Sequence, residues 1–362
     1  MARGKAYVIT IFLIAFSSAF YGISYYNASS EKEITLSSNE DLTSASKHKQ
    51  RVALWKGLEE NFKNETKFRR LPDIIGIGVE KCGTGALFHF LRFHPSLRIA
   101  TKNVEVHYFD THGYKYSKDE YMRFFPEVEK SAFVAEKSPA YFSFPPHTIP
   151  KAIHTTAPKA KLLLILCDPV KRVLSDYVQE QKMYELRHPR SITKYATLED
   201  YLDAYLPLVS GLVGDYNEHK SSQQMRTVLQ LHGNLYLSTI LTTGFYALHL
   251  HRWFEYYNNS NLMVIDGEEL INNPGPLMEK VQDYTGLPKL VLKEDLVMSP
   301  EKRFYCYKDW QENRLRCLGN GKGRTRNGNM EMLNTTSSKL RDFYRSYNEG
   351  LVKMLGRNLS WT

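Results

Sequence analysis

Residues 74–93 read IIGIGVEKCGTGALFHFLRF, and this stretch decides the fold. Ile74 to Val79 is a short apolar run suited to a strand buried on both faces. Ala86 to Phe93 follows with Ala86, Leu87, Phe90 and Leu91 at helical spacing on one face. Between them lies Glu80-Lys81-Cys82-Gly83-Thr84-Gly85. A glycine in such a turn lets backbone N–H groups face an oxyanion, the helix N-terminus adds a favourable dipole, and Lys81 adds a mobile point charge. The GxxxxGK[ST] pattern of nucleotide-hydrolysing P-loops is absent, which argues against a kinase or NTPase. Taken alone, K-x-G-T is also compatible with an ordinary strand–helix turn.

The same alternation recurs downstream. Lys161 to Leu166 (KLLLIL) reads as a second buried strand, Asp168-Pro169 punctuates it, and Val170 to Glu180 continues as a helix. Leu262 to Ile265 is a third strand candidate, with a helix near Leu277 to Tyr284. Strands alternating with helices predict an α/β fold, a single doubly wound parallel-sheet domain over 71–362, with ligands at the carboxyl ends of the strands.

Outward from that domain, the chain changes character. Residues 6–26 (AYVITIFLIAFSSAFYGISYY) hold no charge and as a helix extend about 31 Å, enough to cross a bilayer core. Arg3 and Lys5 precede them, so residues 1–5 are expected to be a cytosolic tail and the rest of the chain lumenal; a cleaved signal peptide, with small residues at Ser17, Ser18 and Ala19, is the competing reading, against which the length of the apolar stretch counts. Residues 27–70 are polar and read as a stem with one short helix around Val52 to Phe62. Asn-x-Ser/Thr sequons at Asn27, Asn64, Asn258, Asn334 and Asn358 agree with a secretory lumen. Cys306 and Cys317, 11 apart in a polar stretch flanked by glycine, read as a loop disulfide, whereas Cys82 and Cys167 end apolar runs and read as unpaired.

Composition sets outer limits. At 42% hydrophobic and 24% charged residues, the 362-residue chain is neither collagen-like, nor wholly disordered, nor a multi-span membrane protein. Lys+Arg 48 against Asp+Glu 39 gives +9, which favours an anionic partner. No metal-ligand spacing such as H-E-x-x-H occurs, so no metal is expected.

Three more segments carry chemistry. Glu105-Val106-His107-Tyr108-Phe109-Asp110 sets a carboxylate and an imidazole two apart; in an extended segment they face one side, which suits general-base work on a hydroxyl. Glu136-Lys137-Ser138-Pro139-Ala140-Tyr141-Phe142 puts a cation beside a turn, and Gly321-Lys322-Gly323-Arg324-Thr325-Arg326 is a basic loop.

With these segments in order, residues 74–361 resemble the sulfotransferase domain of heparan sulfate glucosaminyl 3-O-sulfotransferases, with kinship to the N-sulfotransferase domain of the bifunctional deacetylase/N-sulfotransferases. The landmarks are K-x-G-T, E-V-H-Y-F-D, E-K-S-P-A-Y-F, D-P-x-x-R-V-L-S-D-Y, V-I-D-G, F-Y-C…C and K-G-R. The resemblance implies a type II Golgi membrane protein that uses 3′-phosphoadenylyl sulfate as donor and heparan sulfate as acceptor, with no nucleic-acid partner. It implies that Lys81, Cys82, Gly83, Thr84 and Gly85 form the loop on the 5′-phosphosulfate and that Cys167 and Ser175 lie at the 3′-phosphate. Tyr305 and Lys322, Gly323, Arg324, Thr325 and Arg326 match a segment closing over the nucleotide, held by Cys306–Cys317. Glu105 matches the base, His107 and Asp110 its catalytic neighbours, and Lys137 a lysine near the acceptor.

Two departures from the family pattern stand out. Cys167 takes the place of an arginine that grips the 3′-phosphate, and a thiol offers no charged fork; Lys171, Arg172 and Arg324 are the candidate replacements. The first loop has Glu80, Cys82 and Gly85 where the pattern has arginine, glycine and arginine. His107 and Asp110 favour 3-O transfer, because the N-sulfotransferase relatives carry glutamine and asparagine there. Thr243-Gly244-Phe245-Tyr246-Ala247 and Cys317-Leu318-Gly319 look more like the N-sulfotransferase side. A non-catalytic heparin-binding membrane protein would explain the charge, but it would not need Glu105 and His107 beside a phosphate turn.

Overall fold

The protein is described by a computed structural model covering residues 44–100, 105–111, 117–143, 148–187, 197–213, 239–319 and 331–362. In chain order the first half holds α1 (Ser44–Asn64), β1 (Lys67–Phe68), β2 (Ile74–Gly78), α2 (Thr84–Leu91), β3 (Leu97–Ile99), α3 (Tyr108–Thr111), α4 (Lys118–Met122), β4 (Val128–Glu129), β5 (Phe133–Lys137) and α5 (Ile149–Thr156). The second half holds β6 (Lys161–Leu166), α6 (Pro169–Arg187), α7 (Leu198–Val213), α8 (Thr239–Thr242), α9 (Tyr246–Phe254), β7 (Leu262–Asp266), α10 (Gly267–Asn272), α11 (Pro274–Thr285), β8 (Leu296–Ser299), β9 (Phe304–Asp309), β10 (Arg314–Arg316) and α12 (Asn334–Leu355).

Five strands form the central sheet in the order β3–β5–β2–β6–β7, and every neighbouring pair is parallel. The chain leaves β2 for one edge, returns through β5, and continues on the far side through β6 and β7. The order therefore reverses at β2, and a crevice opens at the carboxyl ends there. β2 is buried along its whole length, as its unbroken apolar run requires. Gly76 is needed for close packing: a Cβ there would lie 2.5 Å from Phe88 Cε2 and 2.7 Å from Lys137 Cβ.

Two smaller sheets flank this core: an antiparallel β10–β9–β8 ladder and a two-stranded β1–β4 ribbon. Helix α12 packs its aromatic face onto the start of α9, with Phe245 and Tyr347 ring centroids 4.3 Å apart and the Tyr344 hydroxyl donating to Leu241 O at 2.7 Å.

The compact unit begins at Lys49. Residues 49–70, read from sequence as part of the stem, pack onto it. Arg51 donates to Asp295 Oδ2 at 2.5 Å and lies over the Trp310 ring, Phe62 is buried under Arg98, and Lys67 and Phe68 pair with β4. Residues 1–43, with the apolar stretch 6–26 and Asn27, lie outside the described residues. Among the described residues, no helix is long and apolar enough to cross a membrane.

Candidate active site

The carboxyl ends of the parallel strands supply the side chains. After β2 the chain turns through Lys81 (φ 70) and Gly83 (φ 99), both left-handed, and enters α2 at Thr84. The Thr84 and Gly85 N–H groups that open α2 have no carbonyl one turn earlier in that helix, whereas Ala86 N donates to Gly83 O at 2.9 Å. The Lys81 ammonium donates to Gln179 Oε1 on α6. Ser175 lies four residues earlier, on the same face of that helix.

Next to this turn, β5 delivers Lys137, whose backbone pairs with Gly76 of β2. Lys137 is buried, and its ammonium donates to Glu105 Oε1. The other Glu105 oxygen lies 3.3 Å from His107 Nε2, and His107 Nδ1 lies 2.7 Å from Asp110 Oδ2. His107 thus sits between two carboxylates. Their hydrogen bonds, Asp110 first, raise its pKa to about 10, so both ring nitrogens donate at neutral pH. The His107 bond, assisted by Lys137 and opposed by partial burial, lowers Glu105 to about 2. Among the described residues no group of three or more His, Cys, Asp or Glu side chains is placed to hold a metal ion.

Glu105 and His107 do meet, but not through strand alternation. Residues 105–107 form no strand, and His107 adopts φ 54 before the chain enters α3. A non-glycine residue in that region is strained and needs outside support. Ser138 supplies it: its Oγ accepts from Val106 N at 3.1 Å and His107 N at 2.9 Å. Ser138 in turn donates to Glu136 Oε2 at 2.9 Å, while the Tyr121 hydroxyl donates to Glu136 Oε1 at 2.7 Å. Tyr141 Oη accepts from Tyr108 N at 2.9 Å. Burial raises the Glu136 carboxyl to about 7 against these hydrogen bonds. Glu80, partly buried just before Lys81, is also raised to about 7, by burial and then by Asp176, with Lys81 and Arg172 opposing.

Two sequence expectations need correction. Cys82 and Cys167 are not unpaired: they form a disulfide with a Cα–Cα distance of 5.2 Å across 85 residues of sequence. Neither sulfur is then available as a thiol. Arg172 does not replace the missing arginine, because it is fully buried, paired with Asp176 at 2.8 Å and donating to Ile240 O. Lys171 is exposed and paired with Glu268 at 2.9 Å.

Other expected positions fall as follows. Cys306 and Cys317 form the second disulfide, joining β9 to the segment after β10. Tyr305, beside Cys306, donates through its hydroxyl to Asn272 O at 3.3 Å. Lys322, Gly323, Arg324, Thr325 and Arg326 lie outside the described residues. Asn64, Asn258, Asn334 and Asn358 are all exposed.

Several contributors were given no role by the sequence motifs. Gln179 holds Lys81, and Tyr246 lies against the Cys82–Cys167 bridge. Arg341 of α12 stands 3.9 Å from Asp168 at the edge of a 640 Å³ cleft that Arg345 and Trp361 also line. The signal that could have found Gln179 is its spacing of four from Ser175.

Residues 71–345 match the family described as "Sulfotransferase domain". The chain belongs to this sulfotransferase family. Among its relatives, human heparan sulfate glucosamine 3-O-sulfotransferase 6 is 29% identical over 297 residues, covering 81% of this chain and 74% of that protein. Mouse bifunctional heparan sulfate N-deacetylase/N-sulfotransferase 4 is 32% identical over 294 residues, covering 79% of this chain and 30% of that longer protein. The solved sulfotransferase from Alicyclobacillus acidocaldarius matches at TM-score 0.53 and 20% identity, covering 80% of this chain and 98% of that one. This last likeness concerns the fold, and the parallel sheet of this sulfotransferase agrees with it.

Proposed function

We propose that this sulfotransferase transfers a sulfonate from 3′-phosphoadenylyl sulfate to the 3-hydroxyl of glucosamine residues in heparan sulfate. The reading rests on one observation: Glu105, Lys137 and His107 converge on the strand end adjacent to the Lys81 turn. A base and a cation beside an anion cradle suit in-line transfer, which depends on positioning and charge neutralisation. The names of the human 3-O and mouse N-sulfotransferase relatives support the substrate class.

The residues present fit the donor. The Thr84 and Gly85 amides and Ser175 offer hydrogen-bond donors, and Tyr305 is the remaining donor-side position among the described residues. In the resting arrangement Glu105 is ion-paired and a weak base. Lys137, once drawn toward the incoming sulfonate, releases Glu105 and lets its basicity rise. Glu105 then takes the acceptor proton as the sugar oxygen bonds to sulfur and the bond from sulfur to the phosphate oxygen breaks. Lys81 neutralises the charge left on that phosphate oxygen. His107, held by Asp110, orients the Glu105 carboxylate.

N-sulfonation is the second reading, favoured by the 32% identity to the mouse bifunctional enzyme. The reading also includes anchorage by residues 6–26 in a Golgi membrane, with the domain lumenal, supported by the uncharged stretch and the exposed sequons. The deciding test is disaccharide analysis of heparan sulfate labelled from 3′-phosphoadenylyl [³⁵S]sulfate. Label on the glucosamine 3-oxygen is expected; label on nitrogen alone selects the second reading, and an unlabelled polysaccharide overturns both.

A further inference from the structure

Three strand exits meet at the Cys82–Cys167 bridge. Cys82 belongs to the turn after β2 and Cys167 immediately follows β6. Gly267 opens the helix after β7, where a Cβ would lie 3.0 Å from both Cys167 Cβ and Leu166 O and 3.3 Å from Cys82 O. The buried Tyr246 hydroxyl lies 3.5 Å from Cys82 Sγ. The bridged residue thus lies between the two left-handed residues of the donor turn, Lys81 and Gly83.

We propose that the Cys82–Cys167 disulfide is a positioning element for donor binding, fixing the Lys81–Gly85 turn in its anion-facing form. A lysine at positive φ persists only where its surroundings over-determine it. Within the turn, Cys82 N donates to Val79 O at 3.2 Å, and Gly83 O accepts from Ala86 N at 2.9 Å. The bridge adds a covalent tie one residue after Lys81, to a strand that also accepts Val79 N through Ile165 O at 3.0 Å. The turn is then ordered before an anion arrives, so its ordering does not weaken binding. Cys167 offers no cation, and the bridge gives that position a different part in donor binding. The inference rests on the proposed donor and goes beyond it by assigning the two cysteines a role.

The test uses the full-length chain and the desulfonated donor, 3′-phosphoadenosine 5′-phosphate, in titration calorimetry. The Cys82→Ser/Cys167→Ser double variant is expected to bind about tenfold more weakly and to show a matching rise in donor KM. Its acceptor KM should stay close to that of the parent. A lowered melting temperature with unchanged donor affinity would make the bridge structural only and overturn the proposal. Should the double variant not fold, the Cys306→Ser/Cys317→Ser variant retains only the bridge in question. Dithiothreitol supplies two electrons and two protons to it, giving two thiols and the cyclic disulfide of the reagent. Donor affinity should fall on reduction, with thiols counted by alkylation and mass, and recover on reoxidation; unchanged affinity after reduction overturns the proposal. A parent chain that shows no heat with the desulfonated donor overturns the donor reading itself, an outcome distinct from equal binding by parent and variant.

Discussion

The N–H of His107 donates to the hydroxyl of Ser138 at 2.9 Å, so a turn after β5 holds the backbone of the residue that touches Glu105. Ser138 also accepts from Val106 N and donates a hydrogen bond to Glu136, which makes it the junction between the buried network and the reactive carboxylate. Removing the hydroxyl leaves two amides and one carboxylate oxygen short of a partner. Ser138→Ala is therefore expected to lower kcat roughly 10–100-fold, as supporting hydrogen bonds do at other preformed sites. Calorimetry should find affinity for 3′-phosphoadenosine 5′-phosphate unchanged. Partial recovery in Ser138→Thr would separate the hydroxyl's effect from simple loss of packing.

Glu105→Gln keeps the shape of the side chain and removes the base. Transfer should drop by about 10²–10⁴, the usual contribution of a positioned base, while donor binding persists. Lys81→Ala should lower kcat by about 10²–10³, comparable to deleting one oxyanion-hole donor. Radiolabel incorporation under saturating donor measures both, and a near-normal rate in either variant would refute the assigned role.

Glu136 makes stability depend on pH. Its folded pKa of about 7 lies above the ordinary 4.5, so the folded chain holds this proton more tightly than the unfolded chain. Its contribution is fully present below about 4.5, declines as pH rises, and is lost above about 7, a change of roughly 3 kcal/mol for this group alone. Glu80 acts in the same direction. Buried His94, lowered to about 4 by burial, acts in the opposite one. The useful quantity is thus the difference between parent and Glu136→Gln in urea melts from pH 5 to pH 8. The parent should lose more stability over that interval, and parallel curves would contradict the shift.

Gly76→Ala tests the packing beneath the site. The new Cβ would meet Phe88 and the Cβ of Lys137 well inside contact distance, with the first on α2 and the second on β5. Overpacking of this kind costs about 1–3 kcal/mol. Because one of the displaced residues is Lys137, kcat should fall along with the melting temperature. A stability loss with unchanged kcat would show that Lys137 recovers its position.

Much of this architecture was legible in short segments. IIGIGV, KLLLIL and LMVI occupy β2, β6 and β7, because a strand covered on both faces must be apolar throughout. The glycine turn lies between β2 and α2, where its composition placed it. The helix at Val52 to Phe62 is part of the longer α1, but its polar surroundings hid Arg51, whose partner Asp295 stands 244 residues away. β3 and β5 were not read from the sequence; β3 has three residues and its burial is mixed. The contact of Glu105 with His107 was foreseen for a different reason, since a left-handed turn rather than strand geometry brings them together.

Local order along the chain determined the parallel α/β core, the anion-facing turn and the sequence of landmarks that mark a sulfotransferase, because periodicity and turn chemistry act over a few residues. Tertiary structure alone decided that Cys82 meets Cys167, that Lys137 reaches Glu105, and that Arg172 is committed inside the fold rather than at the crevice. Each of these joins residues from separate strand exits or helices, and only closure of the sheet sets their distances.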